Sequence, residues 1–182
     1  MRLFVAVDIP EDILATLDAL IARLRPSARI QWSPAHNLHI TTKFIGEWPE
    51  DRIGEVDATL RRLTPRAPMP ISIRGLGFFP NPRAPRVFWA GVEAPPGLVE
   101  LAGETDRALA SLGIESERRA YAPHLTLARI KEPVPLGSLH QAISELPSTD
   151  FGSFTADRFH LYRSQLQRGG SVYTKMSEYV LA

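Results

Sequence analysis

One short pattern occurs twice in this chain, and it constrains the fold more than any other feature. His39-Ile40-Thr41-Thr42 returns as His124-Leu125-Thr126-Leu127, 85 residues later in a chain of 182. Each copy lies in an apolar, β-branched run, Leu38 to Ile45 and Tyr121 to Ile130, which reads as a strand. Alternation along a strand puts His39 with Thr41 on one face and Ile40 with Thr42 on the other. The second copy divides in the same way. Each strand therefore shows an imidazole and a hydroxyl, roughly 7 Å apart, to the same side. Two such strands facing each other across a cleft would bring two His-Thr pairs into one small volume. A duplication kept only for packing would repeat the pattern too.

The rest of the pattern is α+β. Arg2 to Val7 forms an apolar strand, followed by Pro10 and the acidic Glu11 and Asp12, which suit the first turn of a helix. Ile13, Leu14, Leu17, Leu20, Ile21 and Leu24 give that helix one apolar face. Ile30 to Trp32 is a short strand, and Ser33-Pro34-Ala35 a turn into the first motif. Gly46 to Pro49 breaks the motif strand. A second helix carries Ile53, Val56, Leu60 and Leu63. Residues 71–92 read as a hairpin around the proline-rich turn Pro80–Pro85, with Gly75 and Gly77 marking a bulge or close backbone approach. A third helix runs through Leu98 to Leu112, stopped at Gly113, and a short fourth one spans Leu139 to Leu146. Phe151 to Leu161 and Val172 to Leu181 are two closing strands joined through Gly169-Gly170. Hairpin signals mixed with helices imply an α+β class with antiparallel sheets. One motif in each half implies two similar lobes flanking a central cleft. No linker or low-complexity stretch divides residues 1–182, so a single bilobal domain is expected.

Composition narrows the chemistry. The net charge is +1, without the strong positive field of a nonspecific nucleic-acid binder. Lysine occurs only at 43, 131 and 175; the other 18 of the 21 basic residues are arginine. With no cysteine, disulfides and thiolate metal sites are ruled out. No signal-peptide pattern and no run of membrane-spanning length is present, so a cytoplasmic enzyme without membrane attachment is expected.

Two imidazoles suit acid–base work near neutral pH, one protonating a leaving oxygen while the other deprotonates water. The hydroxyls of Thr41 and Thr126 suit donation to non-bridging phosphate oxygens. The set fits opening of a cyclic phosphodiester, where attack and departure lie on opposite sides of phosphorus. It requires neither metal nor cofactor. The metal alternative would recruit His36 as a third ligand, but alternation would place it opposite His39 if it lay in the same strand, and two histidines are too few for a catalytic zinc.

Taken together, His39-Ile40-Thr41-Thr42-Lys43-Phe44-Ile45-Gly46, Trp32 upstream, and Pro123-His124-Leu125-Thr126-Leu127-Ala128-Arg129 resemble the two-histidine phosphoesterase superfamily. Within it the chain is similar to the bacterial and archaeal RNA 2′,3′-cyclic phosphodiesterases, formerly called 2′-5′ RNA ligases. Arg2 to Val7, Pro85 to Trp89, Leu161 to Ser164, Gly170 and Tyr173 agree in order. Thr42 departs from a position the family commonly fills with an apolar residue.

The resemblance implies hydrolysis of RNA 2′,3′-cyclic phosphate ends to 2′-phosphates, with weak reverse 2′-5′ ligation. It implies His39 as general acid and His124 as general base, although the near-equivalent motifs do not assign these directions. Arg129 matches a family position that approaches the phosphate. Its parity, however, sets it opposite His124 unless a bulge intervenes or the strand ends near Ala128, so a structural salt bridge is the alternative to phosphate contact. Phe44 reads as core rather than a base-stacking platform, and Trp32, Tyr121 and Phe79 read as core or cleft wall, with stacking of a terminal base as the alternative. His36, His140 and His160 read as surface or structural. The expected partner is an RNA bearing a cyclic phosphate end, such as a tRNA fragment or nucleotide, bound by a monomeric enzyme. A non-catalytic RNA-binding module, or a phosphodiesterase for a small cyclic nucleotide, are the alternatives. Intact His and Thr in both copies oppose the first, and only substrate tests separate the second.

Overall fold

Nine strands and four helices, described over residues 1–182 in a computed structural model, build two antiparallel sheets. In chain order they are β1 (Arg2–Asp8), α1 (Glu11–Leu24), β2 (Gln31–Trp32), β3 (His39–Glu47), α2 (Ile53–Arg61), β4 (Met69–Phe79) and β5 (Val87–Glu93). They continue with α3 (Pro96–Ala110), β6 (His124–Arg129), α4 (Gly137–Ser144), β7 (Asp150–Ala156), β8 (Arg158–Gln167) and β9 (Gly170–Val180). The first sheet has the order β3-β1-β8-β9 and the second β2-β6-β5-β4-β7. The expected α+β, two-lobed architecture is the one found, and β4–β5 is the expected hairpin.

The lobes are not the two halves of the chain. The first sheet joins N-terminal strands to C-terminal ones, and the second is built from the middle. The helices interleave as well: α1 follows a strand of the first sheet but packs on β7 of the second, whereas α3 follows the second sheet and packs on β3 of the first. This exchange fuses the apolar faces into one core that draws on both sheets, from Leu3, Val5 and Val7 to Phe88, Leu125 and Leu127.

One expected strand is in fact two. Residues 151–161 divide at Asp157 into β7, paired with β4, and β8, paired with β1. The chain changes sheets there without a glycine or proline to mark the switch. The Asp157 carbonyl, freed from both ladders, accepts the Leu181 N–H at 2.8 Å.

Candidate active site

The two motif strands occupy equivalent places, β3 beside β1 and β6 beside β5. Both ladders slip at the same point. Val5 pairs with Lys43 but Ala6 with Thr41, skipping Thr42; Phe88 pairs with Ala128 but Trp89 with Thr126, skipping Leu127. A bulge turns two successive side chains to the same face. Thr42 and Lys43 are both buried, and so are Leu127 and Ala128.

After each bulge the parity is inverted. Phe44 and Arg129, again 85 residues apart, return to the face that carries the histidines, and both are exposed. Arg129 therefore sits on the motif face, through the bulge that simple alternation lacked. Phe44 is not core: it is 60% exposed beside Phe4, with ring centres 6.2 Å apart. Regular alternation gave the wrong side for both because a bulge leaves no mark when the inserted residue is an ordinary Thr or Leu.

Side-chain and backbone links draw the strands together. Tyr121, three residues before His124, donates its hydroxyl to the Thr41 carbonyl at 2.9 Å. Ser33, six before His39, donates its hydroxyl to the Thr126 carbonyl at 2.8 Å and its N–H to Leu127 O at 2.8 Å. Trp32 pairs with Ala128 in the short β2–β6 ladder and packs edge-on against Phe88. Trp32 and Tyr121 thus act as brackets. A third link starts from Lys43, turned inward by the bulge. Its ammonium donates to Asp106 Oδ1 and Glu115 O, each at 2.7 Å, and Asp106 also accepts the Glu117 N–H at 3.0 Å. This ties β3 to the segment that leads into β6.

Both imidazoles are oriented in the same way. His39 Nδ1 lies 3.0 Å from Asn37 O and His124 Nδ1 2.8 Å from Ala122 O, in each case the carbonyl two residues upstream. A carbonyl only accepts, so Nδ1 carries the proton and Nε2 is left for chemistry. The His39 ring packs against Tyr162 and Tyr173, at 4.7 and 5.7 Å between centres. Phe79 stands edge-on to His124 at 5.1 Å, and Trp89 lies beside Phe79 over Gly77. A Cβ at Gly77 would come within 2.2 Å of the indole, so only glycine lets Trp89 lie flat there.

His39 opens onto a cleft of about 810 Å³, shared with Asp8, His36, Asn37, Tyr162, Tyr173 and Lys175; His124 lies outside that cavity. Burial holds the His39 imidazole below the ordinary histidine value, against the pull of Asp8. Asp8 itself is a residue that pattern reading missed. Burial works to raise its carboxyl, but hydrogen bonds from Lys175 and Tyr162 prevail and hold it below the usual carboxylate range. His160 is not on the surface: it is buried between Asp8 and Glu178. His140 packs on Phe78 away from the motif face, and no set of three His, Asp or Glu side chains is arranged to hold a metal ion.

Two interleaved lobes, each offering a histidine and a threonine from the same strand position, define an α+β protein of the doubled His-x-Thr class. The chain belongs to the 2′-5′ RNA ligase superfamily, whose profile matches residues 10–168. It is 36% identical to an RNA 2′,3′-cyclic phosphodiesterase of Methanothermobacter thermautotrophicus, over all of this chain and 99% of that one. It is also 36% identical to one of Thermus thermophilus, over all of this chain and 90% of the relative. A crystal structure of a Thermus thermophilus protein superposes with a TM-score of 0.82 at 34% identity, covering 100% of this chain and 98% of that one. Escherichia coli LigT complexed with 3′-AMP superposes at 0.79 with 28% identity, covering 99% and 97%.

Proposed function

We propose that this protein is a hydrolase that opens RNA 2′,3′-cyclic phosphate ends to 2′-phosphates by metal-independent acid–base catalysis. The observation that carries the reading is the matched orientation of His39 and His124, each with Nδ1 anchored on a carbonyl two residues upstream and Nε2 turned away from it, on strands that carry a threonine on the same face. The names of the relatives fit the same chemistry.

In this reading Nε2 of His124 takes a proton from water, whose oxygen attacks phosphorus. The P–O3′ bond breaks, and Nε2–H of His39 gives its proton to the departing 3′ oxygen. Thr41, Thr126 and Arg129 donate to the non-bridging oxygens, where negative charge grows. With an RNA 5′-hydroxyl in place of water, the same steps in the same direction form a 2′-5′ linkage and free the 3′-hydroxyl. Phe44 offers the terminal base a stacking face. The active unit is the whole span 1–182, since the cleft uses Asp8 near one end and Lys175 near the other. We read the protein as a cytoplasmic monomer acting on RNA ends such as tRNA fragments.

The test is incubation with an RNA bearing a 2′,3′-cyclic phosphate, in excess chelator, followed by identification of the product end. A 2′-phosphate is expected. A 3′-phosphate, or activity that disappears with chelation, would overturn the reading, and turnover only on free cyclic nucleotides would move the substrate class.

A further inference from the structure

The two motif ladders match so closely that their few differences become informative. Ala6 stands opposite Thr41 where Trp89 stands opposite Thr126, and Asp8 stands opposite His39 where Gly91 stands opposite His124. Paired residues in an antiparallel ladder share a face, so each histidine looks across at the side chain of its partner. For His39 that side chain is a carboxylate, with Asp8 Oδ1 3.7 Å from Nε2, the nitrogen left for chemistry. For His124 the place is empty by construction. A Cβ on Gly91 would come within 2.3 Å of the Arg74 carbonyl oxygen, so the backbone of β4 closes that slot to any side chain.

We propose that Asp8 is the positioning residue that makes the two-histidine pair directional, keeping a proton on Nε2 of His39 so that this ring acts as the acid and leaves His124 as the base. The proposal rests on the reading of the protein as a cyclic phosphodiesterase. A neutral His39 with its proton on Nδ1 would turn a lone pair toward the carboxylate, whereas the imidazolium turns an N–H toward it. Only the protonated ring is favoured by this geometry.

Asp8 is itself well held. Tyr162 donates to Oδ1, Lys175 Nζ lies 2.8 Å from Oδ2, and His160 Nδ1 lies 3.6 Å from Oδ1. His160 is in turn paired through Nε2 with Glu178 at 3.2 Å, which also takes Arg158. Of the groups facing His39, Asp8 on β1 favours its charge, and Lys175 on β9 and His160 on β8 oppose it, as does burial. Glu11, Asp157, Arg158 and His36 complete the charged lining of the cleft. The substrate's phosphate would add a second negative charge on the same side as Asp8.

The experiment follows the histidine rings by NMR titration in the intact protein and, in parallel, the pH dependence of kcat on an RNA 2′,3′-cyclic phosphate. Asp8→Asn keeps the shape and removes the charge. The His39 midpoint should fall by about one pH unit, about tenfold in proton affinity, while that of His124 stays in place. In turnover the alkaline limb should move to lower pH with the acidic limb unmoved. Asp8→Glu should restore part of the shift. Lys175→Met, on a half-exposed side chain, should move the His39 midpoint upward and decides the matter even where Asp8→Asn does not fold. An unmoved His39 midpoint, equal shifts of both rings, or a kcat lowered at every pH without displacement of a limb would overturn the proposal. Absence of any hydrolysis by the wild type would instead overturn the reading of function, and the ring titrations would still decide the role of Asp8.

Discussion

At the residue scale the strongest expectation concerns the imidazoles. His39→Ala and His124→Ala should each lower kcat by roughly 10²–10⁴-fold, the usual contribution of a positioned acid or base, with the fold retained. Thr41→Val and Thr126→Val should cost on the order of 10²-fold each if they act as oxyanion donors; wild-type turnover in both variants would remove that role. Phe44 makes a different kind of prediction. Its ring is exposed next to Phe4, and Phe44→Ala should leave the core intact while raising KM for RNA by the equivalent of about 1–3 kcal/mol of base stacking. A fall in thermal stability with unchanged KM would return Phe44 to a packing role.

At the scale of elements, two matched bulges do most to shape the site. Each turns one extra residue inward, and in β3 that residue is followed by Lys43, whose side chain is 1% exposed. The ammonium is tolerable there because Asp106 and the Glu115 carbonyl accept from it. Removing the anion alone leaves a buried cation short of a partner, which typically costs about 3–5 kcal/mol. Asp106→Ala should therefore destabilise the protein more than Lys43→Met, which removes the charge and fills the space; equal losses in chemical denaturation would contradict this. The same link holds the segment before β6, so Asp106→Ala should also lower turnover beyond its effect on stability, measured well below the melting temperature.

At the scale of the whole molecule, interleaving makes the cleft a property of both chain ends. Asp8 on β1 meets Lys175 on β9, and the pairing has a consequence for pH. The folded value of Asp8 lies below the ordinary carboxylate value, so the folded state gives up this proton at a pH where the unfolded chain still binds it. The stabilisation is complete above the unfolded value, near 4, and is lost as pH falls through the folded one. Wild type should accordingly lose more stability than Asp8→Asn between about pH 5 and the acid limit, seen as converging unfolding midpoints. Midpoints that remain parallel would show that the carboxylate contributes nothing to acid sensitivity.

Much of this was already written in the order of residues. Period-two and period-3.6 patterns placed the elements, because burial of an apolar face is a local demand that each segment meets in its own sequence. The repeat at 39 and 124 marked the paired imidazoles, because the carbonyls that orient both rings lie only two residues upstream. Other features depended on partners far away in the chain. The change of sheet at Asp157, the inward turn of Lys43, the return of Phe44 and Arg129 to the motif face, and the meeting of Asp8 with His39 are all settled by ladder register between distant strands. A bulge or a sheet switch costs the local chain little and leaves its composition ordinary, so only the assembled sheets decide which way those side chains point.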